Sequence, residues 1–130
     1  MKTSNTLRLI VVCFLLALTT ISVYWPARQF EFLIYDDTIY VKHNAQVQQG
    51  LSWASVKWAL FSNACSNWHP VTWLSHMLDW QLFGNNSGKH HLTSVFLHAA
   101  NAVLLLLLLW RMTGVFWRSA FVAAVFALHP

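Results

Sequence analysis

Between Leu9 and Trp25, and again between Leu92 and Trp110, the chain carries no Asp, Glu, Lys or Arg. Runs of 17 and 19 such residues approach or reach the length of a bilayer-crossing helix, which needs about 17–25 apolar residues. A backbone in lipid must satisfy its own hydrogen bonds, so each run is expected to be one continuous helix. The whole chain follows the same bias: of its 130 residues 57% are hydrophobic and 9% charged. A soluble domain carries about 25% charged residues, so lipid is the expected solvent for much of this surface.

The charges that exist are placed asymmetrically. Lys2, Arg8, Arg111 and Arg118 flank the apolar runs with no acid among them. Arg28, Lys42, Lys57 and Lys89 share the intervening segment with all four acids. No basic cluster suits a phosphate backbone, so a nucleic-acid partner is not expected. By the positive-inside rule the N-terminus and the 111–116 turn belong to the cytoplasmic side and the long loop to the opposite face. In a bacterium the membrane would be the cell inner membrane. A cleaved signal peptide is the competing reading of the first run, given Lys2 and Arg8. Against it, Tyr24-Trp25-Pro26 replaces a small-x-small cleavage site and suits an aromatic anchor at the interface. Cys13 and Cys65 fall at different depths and show no metal spacing, so neither a disulfide nor a metal knot is expected.

These signals give an all-α integral membrane fold. The expected order is a cytoplasmic N-terminus (1–8), a first span (9–25), an extracytoplasmic loop (26–91), a second span (92–110), a cytoplasmic turn (111–116) and the start of a truncated third span (117–130). Within the loop, Ser52 reads as the N-cap of a short helix. Trp53, Val56 and Leu60 share one face of it, as in a helix lying at the membrane surface. A second loop helix is expected over Pro70–Phe83, with Pro70 in its first turn and Gly84 just past its end. Asn85-Asn86-Ser87-Gly88 reads as a turn and contains a glycosylation sequon.

Several polar groups are placed where lipid makes polarity costly. Asp36-Asp37 follows the first run by about ten residues; two adjacent carboxylates there read as a general base, as holders of a divalent cation, or as an ordinary acidic turn. No cofactor is fixed by the residues beyond that possibility of a cation, and no metal ligand set is assigned. Thr72, His76 and Asp79 recur at i, i+4 and i+7 on the second loop helix, as a polar stripe, a base with its orienting partner, or a metal pair. His90-His91 opens the second span, and His91, Ser94, His98 and Asn101 continue as a polar stripe along it, lining a bundle interior or hydrogen-bonding between helices. The eight tryptophans read mainly as interface anchors; Trp68, Trp73 and Trp80 also offer faces on which a sugar ring stacks.

Taken in order, Tyr35-Asp36-Asp37, Tyr40-Val41, Asn44, Val47, Gly50-Leu51, Asn67-Trp68-His69-Pro70, Thr72-Trp73 and Ser75-His76-Met77-Leu78-Asp79 form a series. It continues through His90-His91, His98, Arg111-Met112-Thr113-Gly114, Trp117-Arg118-Ser119-Ala120 and Phe126-Ala127-Leu128-His129-Pro130. This series resembles the first outer loop and flanking spans of polytopic tetratricopeptide-repeat glycosyltransferases, the O-mannosyltransferase-like members of the GT-C superfamily. The resemblance implies a polyprenyl-phosphate-linked sugar donor, a protein or lipid hydroxyl as acceptor, and Asp36 or Asp37 as the catalytic acidic residue. His69, His76, His90 and His91 are then candidate donors to the donor's phosphate or sugar. Because that family continues through further spans and repeats, the chain is expected to be the N-terminal portion of such a protein, inactive alone. Two other readings stay open: a non-catalytic scaffold, accessory protein or truncated gene product, and a metal-binding membrane-surface module using His69, His76, Asp79 and His90.

Overall fold

The computed structural model describes residues 2–129, and side chains from Thr6 onward. The expectations placed on the Lys2 side chain and on Pro130 lie outside the described residues. Among those described, the chain is helical throughout and forms no strand. The elements are α1 (Lys2–Tyr24), α2 (Ala45–Gln48), α3 (Trp53–Phe61), α4 (Pro70–Phe83), α5 (Ser87–Thr113) and α6 (Phe116–Leu128). A 3-10 turn follows α1 over Trp25–Gln29, a π-helical turn over Thr38–Lys42 precedes α2, and a 3-10 turn over Ala64–Ser66 separates α3 from α4. Two compact units result: residues 1–26 with 94–130, and residues 27–93.

In the first unit, α1 and α5 run for 23 and 27 residues, about 35 and 40 Å of helix. Each is long and apolar enough to cross a membrane. Only 6% and 22% of the residues in their apolar windows are buried within the protein. A core helix of a soluble protein would hide such a stripe, whereas Phe14, Leu15, Phe96, Leu104 and Leu108 all face outward. Most of what is buried is small: Thr20 on α1, Ala99 and Ala102 on α5, and Ser119, Ala123 and Ala127 on α6, with Val95, Leu106 and Phe116 as the larger members. Ser119, Ala123 and Ala127 recur every fourth residue and let α6 approach α1 closely, the packing expected where lipid removes the hydrophobic drive between helices. The Thr20 hydroxyl donates to the Leu16 carbonyl at 2.7 Å, so its burial leaves no orphan polar group. An apolar groove of about 380 Å³ runs between the two helices, lined by residues such as Leu16, Thr20, Phe121 and Ala124.

The Arg8 guanidinium sits 4.5 Å from the centre of the Phe116 ring. That contact brings the N-terminal ends of α1 and α6 together, so Arg8 and the Arg111–Arg118 turn share one end of the unit. At the end of α6, the His98 Nε2–H donates to the Ala127 carbonyl at 3.1 Å, satisfying one of the helix's terminal acceptors. The expected polar stripe on α5 is therefore divided: His98 is half-buried and bonded, while Ser94 and Asn101 are exposed. The 13 residues of α6 measure about 20 Å, shorter than the roughly 30 Å hydrocarbon layer.

In the second unit the expected loop helices form where their caps placed them. Ser52 caps α3 in a reciprocal box with Ser55: each serine side chain bonds the other's backbone N–H. Pro70 opens α4, and Gly84 ends it with φ of 58°, a value that favours glycine. The expected turn at 85–88 is shorter than the sequence implied. Asn86 accepts from the Lys89 N–H at 3.1 Å, so α5 already begins at Ser87. Gly88 stands inside that helix where any Cβ would collide with the Arg28 carbonyl oxygen. The core of the unit is Val47, Ala59, Trp73 and Met77, flanked by Tyr40, Trp58, Leu74 and Trp80. The opposite surface is apolar and open. On α3, Trp53 and Phe61 are 84% and 78% exposed, with Leu60 beside them.

Candidate functional site

The functional side chains of residues 27–93 gather along one edge of this aromatic core. α4 supplies most of them. Trp73 and Met77, one turn apart, turn inward; His69, His76 and Asp79 flank that buried face. Tyr40, delivered by the π-helical turn, stacks on Trp73 at 4.9 Å between centroids and on His69 at 5.5 Å. His69 itself stacks on Trp73 at 4.8 Å, and Tyr40 meets His76 edge-on at 6.4 Å. Just before His69 the chain turns sharply, with Cys65 and Ser66 at φ of 57° and 61°.

The adjacent carboxylates behave differently. Asp36 is exposed. Asp37 is half-buried at the start of the π-helical turn, where its Oδ2 accepts from the Leu33 N–H at 2.9 Å. Its charge reaches His76. Burial pushes the His76 imidazole below its ordinary value, and His90 and His69 act in the same direction; Asp79 and Asp37 oppose the shift. At neutral pH the ring is therefore neutral, the state in which it accepts a proton or binds a metal.

His90 enters the group from the first turn of α5. Only 5% of it is exposed, and its Nε2–H donates to the Gly84 carbonyl at 2.9 Å. Phe32, Trp80 and Phe83 surround the ring at centroid distances of 5.2, 6.3 and 6.5 Å. Asp79, also 5% exposed, accepts from the Thr93 hydroxyl at 2.8 Å. One ligand-type atom each from His76, Asp79 and His90 lies within 4.8 Å of the others. Three buried polar atoms of the unit have no hydrogen-bond partner: His69 Nε2, Trp73 Nε1 and His90 Nδ1.

Of the residues singled out in the sequence, the fold thus brings together Asp37, His69, His76, Asp79 and His90. His91 is set apart, half-buried beside Phe32 and 3.5 Å from the Glu31 carbonyl. Thr72 is exposed and takes no part. Two tryptophan expectations need correction. Trp73 is fully buried, so it is neither an interface anchor nor a face open to a sugar ring. Its place opposite Met77 and Tyr40 makes it core. Trp80 is half-buried against the same cluster. Trp68 is open, with its Nε1–H donated to the Leu60 carbonyl at 2.9 Å. Tyr40 and Thr93 were not singled out as site residues: a tyrosine amid aromatic residues and a threonine in an apolar run carry no local signal. Comparison with protein-family profiles, with curated proteins and with solved structures finds no match.

Proposed function

We propose that this chain is the membrane-embedded portion of an O-mannosyltransferase-like glycosyltransferase of the GT-C kind, with α1 and α5 crossing the bilayer. The basic end formed by Arg8, Arg111 and Arg118 faces the cytoplasm, and residues 27–93 lie at the outer membrane surface. There they receive a sugar carried on polyprenyl phosphate and pass it to a protein or lipid hydroxyl. The exposed Trp53, Leu60 and Phe61 rest in the interfacial layer. α6 enters the bilayer as part of a third span.

The observation that carries this reading is that the charges of Asp37 and of His69 both act on neutral His76, at a site the sequence series also marks. In the step proposed, the acceptor hydroxyl oxygen bonds to the anomeric carbon of the sugar. The bond from that carbon to the phosphate oxygen breaks, and polyprenyl phosphate leaves with the electron pair. The hydroxyl proton passes to Asp37. One Asp37 oxygen is held by the Leu33 N–H, which fixes the carboxylate and leaves the other to take the proton. His69 and His76 donate to the phosphate as its charge grows, and Asp36 is the more exposed second carboxylate.

The test uses the full chain in nanodiscs with polyprenyl phosphate as a binding probe and a panel of polyprenyl-phosphate-linked radiolabelled sugars as donors. Binding should be saturable and weakened by His69→Gln or His76→Gln. In the longer glycosyltransferase of which the chain is proposed to be a portion, sugar transfer should fall about 10²–10⁴-fold in Asp37→Asn and less in Asp36→Asn. Absence of saturable lipid-phosphate binding would overturn the assignment, as would full turnover in Asp37→Asn.

A further inference from the structure

We propose that His76, Asp79 and His90 form a site for a divalent transition metal of the zinc type, built across the α4–α5 hairpin. The proposal stands on this group's own geometry and does not depend on sugar transfer.

Three features of the group point to a ligand set. The first is proximity: the three ligand atoms lie within 4.8 Å of one another, two from one face of α4 and one from the start of α5. Ligands around one tetrahedral zinc lie about 3.4 Å apart, given bond lengths near 2.0–2.1 Å. The group therefore closes on an ion by about 1 Å of side-chain rotation. His76, the least buried of the three, is free to supply it.

The second feature is the state of His90. Its Nε2–H is donated to the Gly84 carbonyl, which fixes the tautomer and leaves the lone pair on Nδ1. That Nδ1 is buried and has no partner. A buried acceptor left unpaired is costly, and this one belongs to a group that contains a carboxylate and a second imidazole. A ring nitrogen tied to a backbone carbonyl with the other left free to ligate is the arrangement that orients metal-binding histidines.

The third feature is the state of Asp79. A carboxylate 5% exposed is expensive unless it is paired or bound to a cation. The Thr93 hydroxyl holds Oδ1 and orients the group, while Oδ2 remains for an ion. Two imidazoles and one carboxylate select zinc-like ions over magnesium or calcium, which prefer oxygen. Three protein ligands leave a fourth position for water or an anionic oxygen, the pattern of an open rather than a closed structural site. The sequence showed His76 and Asp79 as an i, i+3 pair and offered His90, with His69, among the ligands of a metal-binding module; the turn at Gly84–Asn86 brings His90 to the pair and His69 stays outside the group.

The full chain, purified in detergent and stripped with chelator, is titrated with Zn²⁺ and separately with Co²⁺. One equivalent of zinc should bind, and Co²⁺ should develop the visible absorption of a four-coordinate nitrogen–oxygen site. His76→Gln and Asp79→Asn should each weaken zinc binding by at least about 100-fold. Thr93→Val, which only removes support from Asp79, should weaken it about 10–100-fold. His91→Gln, outside the group, should bind as the unaltered chain does. Should a variant misfold, X-ray absorption of zinc on the unaltered chain decides, with two imidazole ligands at about 2.0–2.1 Å expected. Zinc binding equal in all variants, a zinc spectrum without two imidazoles, or no binding to the unaltered chain would each overturn the site.

Discussion

The two units solve the packing problem in opposite ways. In the unit of α1, α6 and the later part of α5, most large apolar side chains face outward; the buried set is mostly small, Ala99, Ala102, Ser119, Ala123 and Ala127, with Leu106 and Phe116 as its two bulky members. In residues 27–93 the buried centre is a tryptophan and a methionine, with tyrosine and two further tryptophans around it. Water rewards burying area, so a water-facing unit hides its bulkiest residues. Lipid rewards close approach of backbones, so a lipid-facing unit hides its smallest. The contrast carries information that composition does not, because both units are rich in apolar residues.

The strongest way to break the comparison is to remove bulk from each unit in turn. Trp73→Ala deletes a fully buried ring stacked on Tyr40 and His69 and should cost about 3–5 kcal/mol. Leu15→Ala, on the exposed face of α1, should leave stability in a bilayer or detergent nearly unchanged. Hydrogen exchange on the full chain separates the outcomes. Trp73→Ala should release protection across α2, α3 and α4, and Leu15→Ala should release none. Equal losses in both would mean that α1 is packed as a soluble core helix.

Adding bulk reverses the roles. Ala123→Leu places three extra carbons where α6 meets its neighbours, and overpacking of this kind costs about 1–3 kcal/mol. It should separate α6 from α1 and quench the contact of Arg8 with Phe116, read as a lowered midpoint of unfolding in mixed detergent. The same addition at Ala100, which is exposed on α5, should be neutral. If Ala123→Leu is also neutral, the small-residue interface does not hold the unit together.

These contrasts also mark how far the residues alone disclosed the fold. The ends of α4 were legible because Pro70 and Gly84 act locally, and Ser52 gave the start of α3 for the same reason. The helix that carries the second apolar run begins at Ser87, five residues ahead of Leu92, since Asn86 serves as a cap where an Asn-Asn-Ser-Gly run reads as a turn. Gly88 explains why that run contains glycine: its helix passes the Arg28 carbonyl, a contact across 60 positions of chain that no local pattern encodes. The burial of Trp73 was hidden in the same way, because its partners Tyr40 and Ala59 come from other elements. In the site, His76 and Asp79 were visible as a helical pair, and Asp37 as half of an acidic pair. Which carboxylate reaches the histidines, and that His90 joins them, depended on the turns.

The mildest test uses pH and concerns the polar edge of the 27–93 unit, with chelator present to keep metal away. Unfolded His76 takes up a proton near its ordinary value of 6.5, whereas the folded ring, held down by burial, takes one up only at lower pH. Above about 6.5 both states are neutral at this residue and it contributes no pH dependence. Below that value the unfolded chain binds the proton first, so acidification draws the equilibrium towards unfolding. The slope persists until the folded ring protonates as well. Asp79 and Asp37 favour the charged ring and shorten that window; His90 and His69 lengthen it. Stability of the 27–93 unit, followed by tryptophan fluorescence, should therefore decline gradually as pH falls through about 6. His76→Gln should flatten this decline, while His91→Gln should leave it in place. A decline unchanged by His76→Gln would place the controlling proton elsewhere and remove His76 from the electrostatic centre of the group.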